Sequence, residues 1–180
     1  MALPKINVMT YTLTLPSTGK ELKYRPFLVK EEKVLMMAMQ GGDNKDMVRA
    51  LREIIDSCVI DKVDTKTLPM FDIEYIFLQL RARSIGEKIP VQYSLPDDKC
   101  DKSDANCTYT TEIDVDDIKV EYDENHKDLI ELNDEIKIKM RYPKIEASTD
   151  IAGLEGKKLV DKTFDMIGDC IEYIMEGEEM

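Results

Sequence analysis

The chain is expected to be an α+β protein with an N-terminal β-hairpin, a helical central segment, an antiparallel sheet and a C-terminal helix. Three patterns lead there. Residues 11–15 and 21–25 alternate apolar and polar side chains around the turn-forming run Pro16-Ser17-Thr18-Gly19-Lys20. Apolar residues then recur at three- and four-residue intervals through about residues 29–86, the period of buried helices. Between about residues 88 and 142 the period returns to two, and a helical stripe reappears over about residues 156–175.

In the hairpin, Leu22 and Tyr24 share a face, and Pro26 ends the second strand or places it on a sheet edge. In the first helix Val34, Leu35, Met37 and Ala38 crowd one side, and Lys30, Glu31, Glu32 and Lys33 make a charged first turn. Gly41-Gly42 stops it, and Asp43 or Asn44 can cap the next helix. That helix runs to about Cys58, with Met47, Leu51, Ile54, Ile55 and Cys58 on its apolar stripe, so Cys58 is expected to be a buried, inert thiol. The third helix, from residue 71 or 72 to 84, carries two apolar rows, Phe71/Tyr75/Leu78 and Ile73/Phe77/Leu80. A helix apolar on two sides lies between layers or against a partner. Arg81 and Arg83 occupy its last turn, where cations complement the carbonyl end, and Gly86 follows as a stop.

Beyond it, residues 88–95 and 108–115 read as a strand and its return, with Ile89, Val91, Tyr93 and Leu95 on one face. Residues 96–107 make a polar tip. Further short strands are expected at 118–122 and 129–132, and residues 136–142 alternate most clearly. The terminal helix would carry Leu159, Val160, Phe164, Ile167, Ile171 and Ile174 as its stripe, with Cys170 packed beside it. Residues 1–180 are expected to form one domain, with a helical core at about 29–86 and an acidic strand-rich part at about 88–142.

Charge and size narrow the function. A chain of 180 residues, 43% hydrophobic, is long enough to bury roughly two-thirds of its unfolded surface. The net charge is −12, and all of the excess lies in the second half: residues 91–180 carry 11 Lys/Arg against 25 Asp/Glu. Such a surface repels phosphate backbones, so no direct nucleic-acid partner is expected. Its plainest role is to keep the protein soluble. No apolar run is long enough to span a bilayer and no leader-like order opens the chain, so no membrane partner and a cytosolic setting are expected.

Catalytic patterns are missing: there is no phosphate-binding glycine loop, no nucleophile elbow and no zinc-protease helix. His126, the only histidine, lies in a polar loop and reads as solvated. No cofactor and no metal are expected. Cys100 and Cys107 are weak candidates for a metal, since six residues separate them where zinc knuckles allow roughly two to four. Two free thiols are the expectation, with a disulfide formed on oxidation or structural zinc as alternatives. Met36, Met37 and Met39 cluster on the first helix, where core filling is expected and a partner-accepting surface is the alternative.

Two motifs carry a resemblance. Leu13-Thr14-Leu15-Pro16-Ser17-Thr18-Gly19-Lys20 leading into Lys23-Tyr24-Arg25-Pro26-Phe27-Leu28-Val29-Lys30-Glu31-Glu32-Lys33 resembles the N-terminal motif of T-even-type phage baseplate hub proteins. Phe71-Asp72-Ile73-Glu74-Tyr75 through Leu80-Arg81-Ala82-Arg83-Ser84-Ile85-Gly86-Glu87 is similar to their central motif, and Glu112-Ile113-Asp114-Val115-Asp116-Asp117-Ile118 fits more loosely. The resemblance implies a non-enzymatic protein that assists assembly of the central hub of a contractile-tail baseplate. A permanent subunit of the mature hub is the first alternative, and a small metal-binding regulator using Cys100 and Cys107 the second. Implied partners are other hub or spike proteins, with a homo-oligomer as a further option. The implied setting is the host cytoplasm during assembly, extending to the virion tail baseplate. Arg25, Phe27, Phe77, Arg81 and Arg83 are the expected partner-binding residues, since arginine and aromatic side chains are favoured at interfaces.

Overall fold

The computed structural model describes residues 8–94, 108–123, 125–151 and 153–177. Strands β1 (Tyr11–Thr14) and β2 (Glu21–Tyr24) pair antiparallel, setting Tyr11 opposite Tyr24 and Leu13 opposite Leu22. The turn between them needs Gly19, whose φ of 68° is left-handed and costs other residues strain. Helix α1 (Val29–Gly41) ends against Gly42 at φ 68°, and Asp43 caps α2 (Asn44–Cys58) by accepting the Lys45 N–H at 2.9 Å. Helix α3 (Met70–Ser84) completes the first half.

One face of each element closes on a common core. Leu13, Leu15, Leu22, Tyr24 and Phe27 from the hairpin meet Ile54, Ile55 and Cys58 of α2 and Ile73, Ile76 and Leu80 of α3. Main-chain bonds lock the hairpin to the end of α2: Arg25 N–H donates to the Cys58 carbonyl at 3.0 Å, and Ile60 N–H to the Lys23 carbonyl at 2.8 Å. The two-sided apolarity of α3 is resolved by this packing, because the helix lies between the hairpin and α2 on one side and later segments on the other. Phe71 meets the edge of Tyr142 at 4.9 Å, and Val115 packs behind the last turns.

The second half is built differently. Strands β3 (Lys88–Ser94) and β4 (Thr108–Asp114) form a separate two-stranded hairpin, with Ile89 opposite Ile113 and Tyr93 opposite Tyr109. A 3-10 turn, Val115–Asp117, follows. Strands β5 (Leu129–Glu131), β6 (Ile136–Met140) and β7 (Ile171–Glu176) make an antiparallel sheet in the order β5-β6-β7. Helices α4 (Ile145–Ile151) and α5 (Gly156–Asp169) connect β6 to β7. Ile145 of α4 is buried in the core of the first half.

Four expectations need correcting. The terminal helix does not reach residue 175. It stops at Asp169, whose carbonyl accepts from Nε and Nη2 of Arg141 at 2.9 and 2.8 Å, and the chain then pairs with β6 as a strand. The spacing of Ile171 and Ile174 suits a helix, but β6 offers these residues an open edge and they take it. Residues 118–122 alternate like a strand yet pair with none among the described residues. Met36, Met37 and Met39 are exposed, Met37 at 62%, rather than core filling, because α1 turns mainly Leu35 and Glu31 inward. Helix α4 was not anticipated, since its seven residues carry too short a pattern. Leu95, expected on β3, and the polar tip lie outside the described residues. Cys58 and Cys170 are both buried as expected, and burial pushes the Cys58 thiol up to about 11.

Core and surface therefore differ sharply within the helices. Ile76→Ala is expected to destabilise the protein by about 2–5 kcal/mol, whereas Met37→Ala should change stability by no more than about 0.5 kcal/mol. Urea denaturation of the two variants checks this, and equal losses would contradict the packing described.

Candidate interaction site

Of the five residues expected to bind a partner, Arg25 and Phe27 lie between β2 and α1, and Phe77, Arg81 and Arg83 lie on α3. Arg25 follows β2 and turns its guanidinium inward. Its Nη1 donates to the Pro26 carbonyl at 2.9 Å, and its Nη2 to the Glu31 carboxylate at 2.8 Å and the Ser57 carbonyl at 2.9 Å. Glu31 is only 4% exposed. Besides Arg25, its carboxylate accepts the Leu28 N–H and the Ser57 hydroxyl, both at 2.8 Å, and pairs with Lys30 at 3.2 Å. Burial alone would raise this carboxyl, but the bonds from Arg25, Leu28, Ser57 and Lys30 outweigh it and hold the pKa at about 2.

Phe27 is buried, and its N–H donates to the Ser84 hydroxyl at 2.9 Å, which pins the hairpin to the last turn of α3. Arg83 is half-buried. It pairs with Glu87 and, at 3.4 Å, with Asp116, and its guanidinium lies 5.5 Å from the Tyr11 ring centroid. Arg81 and Phe77 are half-buried, and Arg81 donates to the Gly86 carbonyl at 3.3 Å. The structure thus ties Phe27 to the end of α3 and Arg83 to the first hairpin, while Arg25 binds α1 and the end of α2. Arg25, Phe27, Arg81 and Arg83 all have partners within the chain, while Phe77, Arg81 and Arg83 keep part of their surface in solvent.

Sequence reasoning missed a second buried carboxylate. Asp72, 0% exposed, accepts the Ser17 N–H at 3.0 Å and also the Ser17 hydroxyl, tying the hairpin turn to the start of α3. Burial pushes the Asp72 carboxyl above its usual range, against the Ser17 bonds that lower it. An aspartate in a first helical turn is a recognisable signal. Its partner, 55 residues away, is not. A third tie joins α2 to α4, where Arg52 pairs with Glu146. Nε and Nη2 of Arg52 are buried with no described partner, beside an open cavity of about 590 Å³.

His126 is exposed, as expected of a loop histidine, but its ring stacks on Tyr142 with centroids 5.6 Å apart. Cys100 and Cys107 lie outside the described residues, and among the described residues no group of His, Cys, Asp and Glu is arranged for a metal. No described helix is long and apolar enough to cross a membrane.

Large apolar side chains stand open on α1, on the β3–β4 and β5–β6–β7 sheets and on α5. Over residues 8–180 the chain matches the family model described as T4 bacteriophage base plate protein, and it belongs to that family. It is a phage baseplate protein, with a structural role in the tail alongside other baseplate proteins. No curated protein and no solved structure gives a significant match.

The two buried carboxylates respond oppositely to acid. Glu31, lowered by folding, contributes stability that is fully present above its ordinary pKa near 4.5 and is lost as pH falls toward about 2. Asp72, raised by folding, disfavours the native state at neutral pH and is relieved as pH falls through its raised value. Between about pH 7 and pH 3 the wild type is expected to lose about 2 kcal/mol more stability than Glu31→Gln. Urea titrations at the two pH values test this, and parallel losses would remove Glu31 as the group responsible. At neutral pH, Arg25→Ala should cost about 3–5 kcal/mol by stranding the Glu31 charge.

Proposed function

We propose that the chain is a non-enzymatic baseplate protein that acts by binding other baseplate proteins while the central hub is assembled. One observation carries this reading. Among the described residues beyond 90, only Val115, Ile145 and Cys170 are buried, although the strands and helix there are patterned with apolar side chains. Val160, Phe164 and Ile167 form an open stripe on α5, Phe164 at 69% exposure. Ile130 and Ile174 flank Ile138 across the three-stranded sheet, and Tyr93 faces Tyr109 near the end of the other. A two-stranded hairpin and a thin uncovered sheet gain little stability alone. They gain it when a partner covers them.

On this reading Arg25, Phe27 and Arg83 act from within, by holding the hairpin against α1, α2 and α3. Arg81 and Phe77 supply direct contact at the partly open end of α3. The acidic second half steers basic partners and keeps the uncovered protein soluble. Family membership supports this reading at the level of the baseplate; the hub and the assembly step are our proposal.

The reading predicts which variants separate folding from binding. Phe164→Asp should change stability by no more than about 0.5 kcal/mol. Arg81→Glu, which reverses a charge at the carbonyl end of α3, should cost about 1–2 kcal/mol and still fold. Each should also weaken co-purification with co-expressed baseplate hub proteins at least about tenfold. Undiminished co-purification of both variants would refute the contact surfaces. Mass spectrometry of purified virions then separates two roles: trace amounts fit an assembly factor, and stoichiometric amounts establish a permanent subunit instead.

A further inference from the structure

Residues 118–123 have the pattern of a β-strand and pair with no strand among the described residues. Ile118, Val120 and Tyr122 alternate with Lys119, Glu121 and Asp123, and all six are exposed, Tyr122 at 72%. Ile118 is extended, with φ −74° and ψ 112°. Among the described residues, 119–122 form no main-chain hydrogen bond, the condition of an unpaired sheet edge. Yet the segment is held at both ends. Before it, Val115 is fully buried and donates its N–H to the Glu87 carbonyl at 2.9 Å. After it, the Tyr122 hydroxyl donates to the Pro16 carbonyl at 3.1 Å, and Asp123 accepts the His126 N–H at 3.0 Å. Two cavities share Pro16, Val120 and Tyr122: one of about 470 Å³ reaching Tyr75 and Gln79, the other of about 440 Å³ reaching Phe71 and Tyr142.

We propose that residues 118–123 are a strand-addition site for an extended, basic segment of another baseplate protein. Main-chain bonds to a pre-extended strand supply affinity, and flanking pockets take alternate side chains of the incoming one. The charge decides the partner's chemistry. Arg83 already pairs with Asp116, which leaves Asp117, Glu121 and Asp123 against Lys119 along the segment, so Lys or Arg side chains complement it. A second copy fits less well. Antiparallel self-pairing centred on Val120 would place Lys119 opposite Glu121, but it would also set Asp117 opposite Asp123 and join two chains of net charge −12. The inference rests on the reading of the chain as a binding protein and names one surface for it.

The test uses the full chain and two blocked synthetic hexapeptides, acetyl-Lys-Val-Arg-Val-Lys-Val-amide and acetyl-Glu-Val-Glu-Val-Glu-Val-amide, with amide hydrogen exchange followed by NMR. The basic peptide is expected to slow exchange of alternate amides within 119–122 by at least about tenfold, and the acidic peptide to leave them unchanged. Val120→Pro and Glu121→Pro remove successive N–H groups that point to opposite sides, and neither N–H is bonded within the described chain. Both variants should fold as wild type, and one of them should lose the peptide effect. Absence of protection, equal protection by both peptides, or a peptide effect surviving both substitutions would overturn the proposal. Protection that grows with protein concentration and needs no peptide would assign the edge to a second copy and overturn it equally. If wild type still co-purifies with baseplate hub proteins while the peptide test fails, this surface falls and the broader reading stands.

Discussion

Four donors share the carboxylate of Glu31, and the first half of the chain is arranged around them. Arg25 brings the end of β2, Leu28 and Lys30 the start of α1, and Ser57 the end of α2. Taking a charge out of water is costly unless its lone pairs are filled, so each donor is held where the charge requires it. The hydrophobic core supplies the driving force, but burial is non-directional and tolerates slippage. The Glu31 cluster fixes orientation. With Asp72 holding Ser17 at the other end of the hairpin, two buried carboxylates set how the hairpin lies on α2 and α3.

The contrast between the two halves follows from where the carboxylates and apolar groups fall. In the first half the apolar faces of the hairpin, α2 and α3 close on one another, α1 leaves its methionines open, and the charges are close to balanced. In the second half the same patterning yields a two-stranded hairpin, a three-stranded sheet and an amphipathic helix that barely cover one another. Its acidity opposes close approach of like-charged copies of the chain. That combination agrees with the proposed binding role of this baseplate-family chain.

Much of the fold was legible in the residues. The hairpin register follows from alternation around Gly19, and the helix limits follow from Gly42, Asp43 and the Arg81/Arg83 end of α3. The candidate site was only partly legible. Arg25 and Arg83 carry the composition of interface residues, yet they meet Glu31, Asp116 and the Tyr11 ring within the chain. An arginine's donors look the same in sequence whether a partner or a buried carboxylate fills them. The exposure of Met36, Met37 and Met39 was equally hidden, since a Met-rich stripe has one pattern in a core and on a docking face.

By itself the sequence determined the local structure: which segments alternate, which turn at a glycine, which helix is apolar on two sides, and that the excess negative charge lies after residue 90. These depend on neighbours a few residues apart. Tertiary structure alone decided how those segments were used. Residues 171–176 became a strand because β6 left an edge open, whereas residues 118–122, with an equally good pattern, found none among the described residues. Asp72 was buried because Ser17, far off in the chain, could satisfy it. Strand pairing and buried charge both require a partner distant in sequence, and only the folded chain supplies or withholds it.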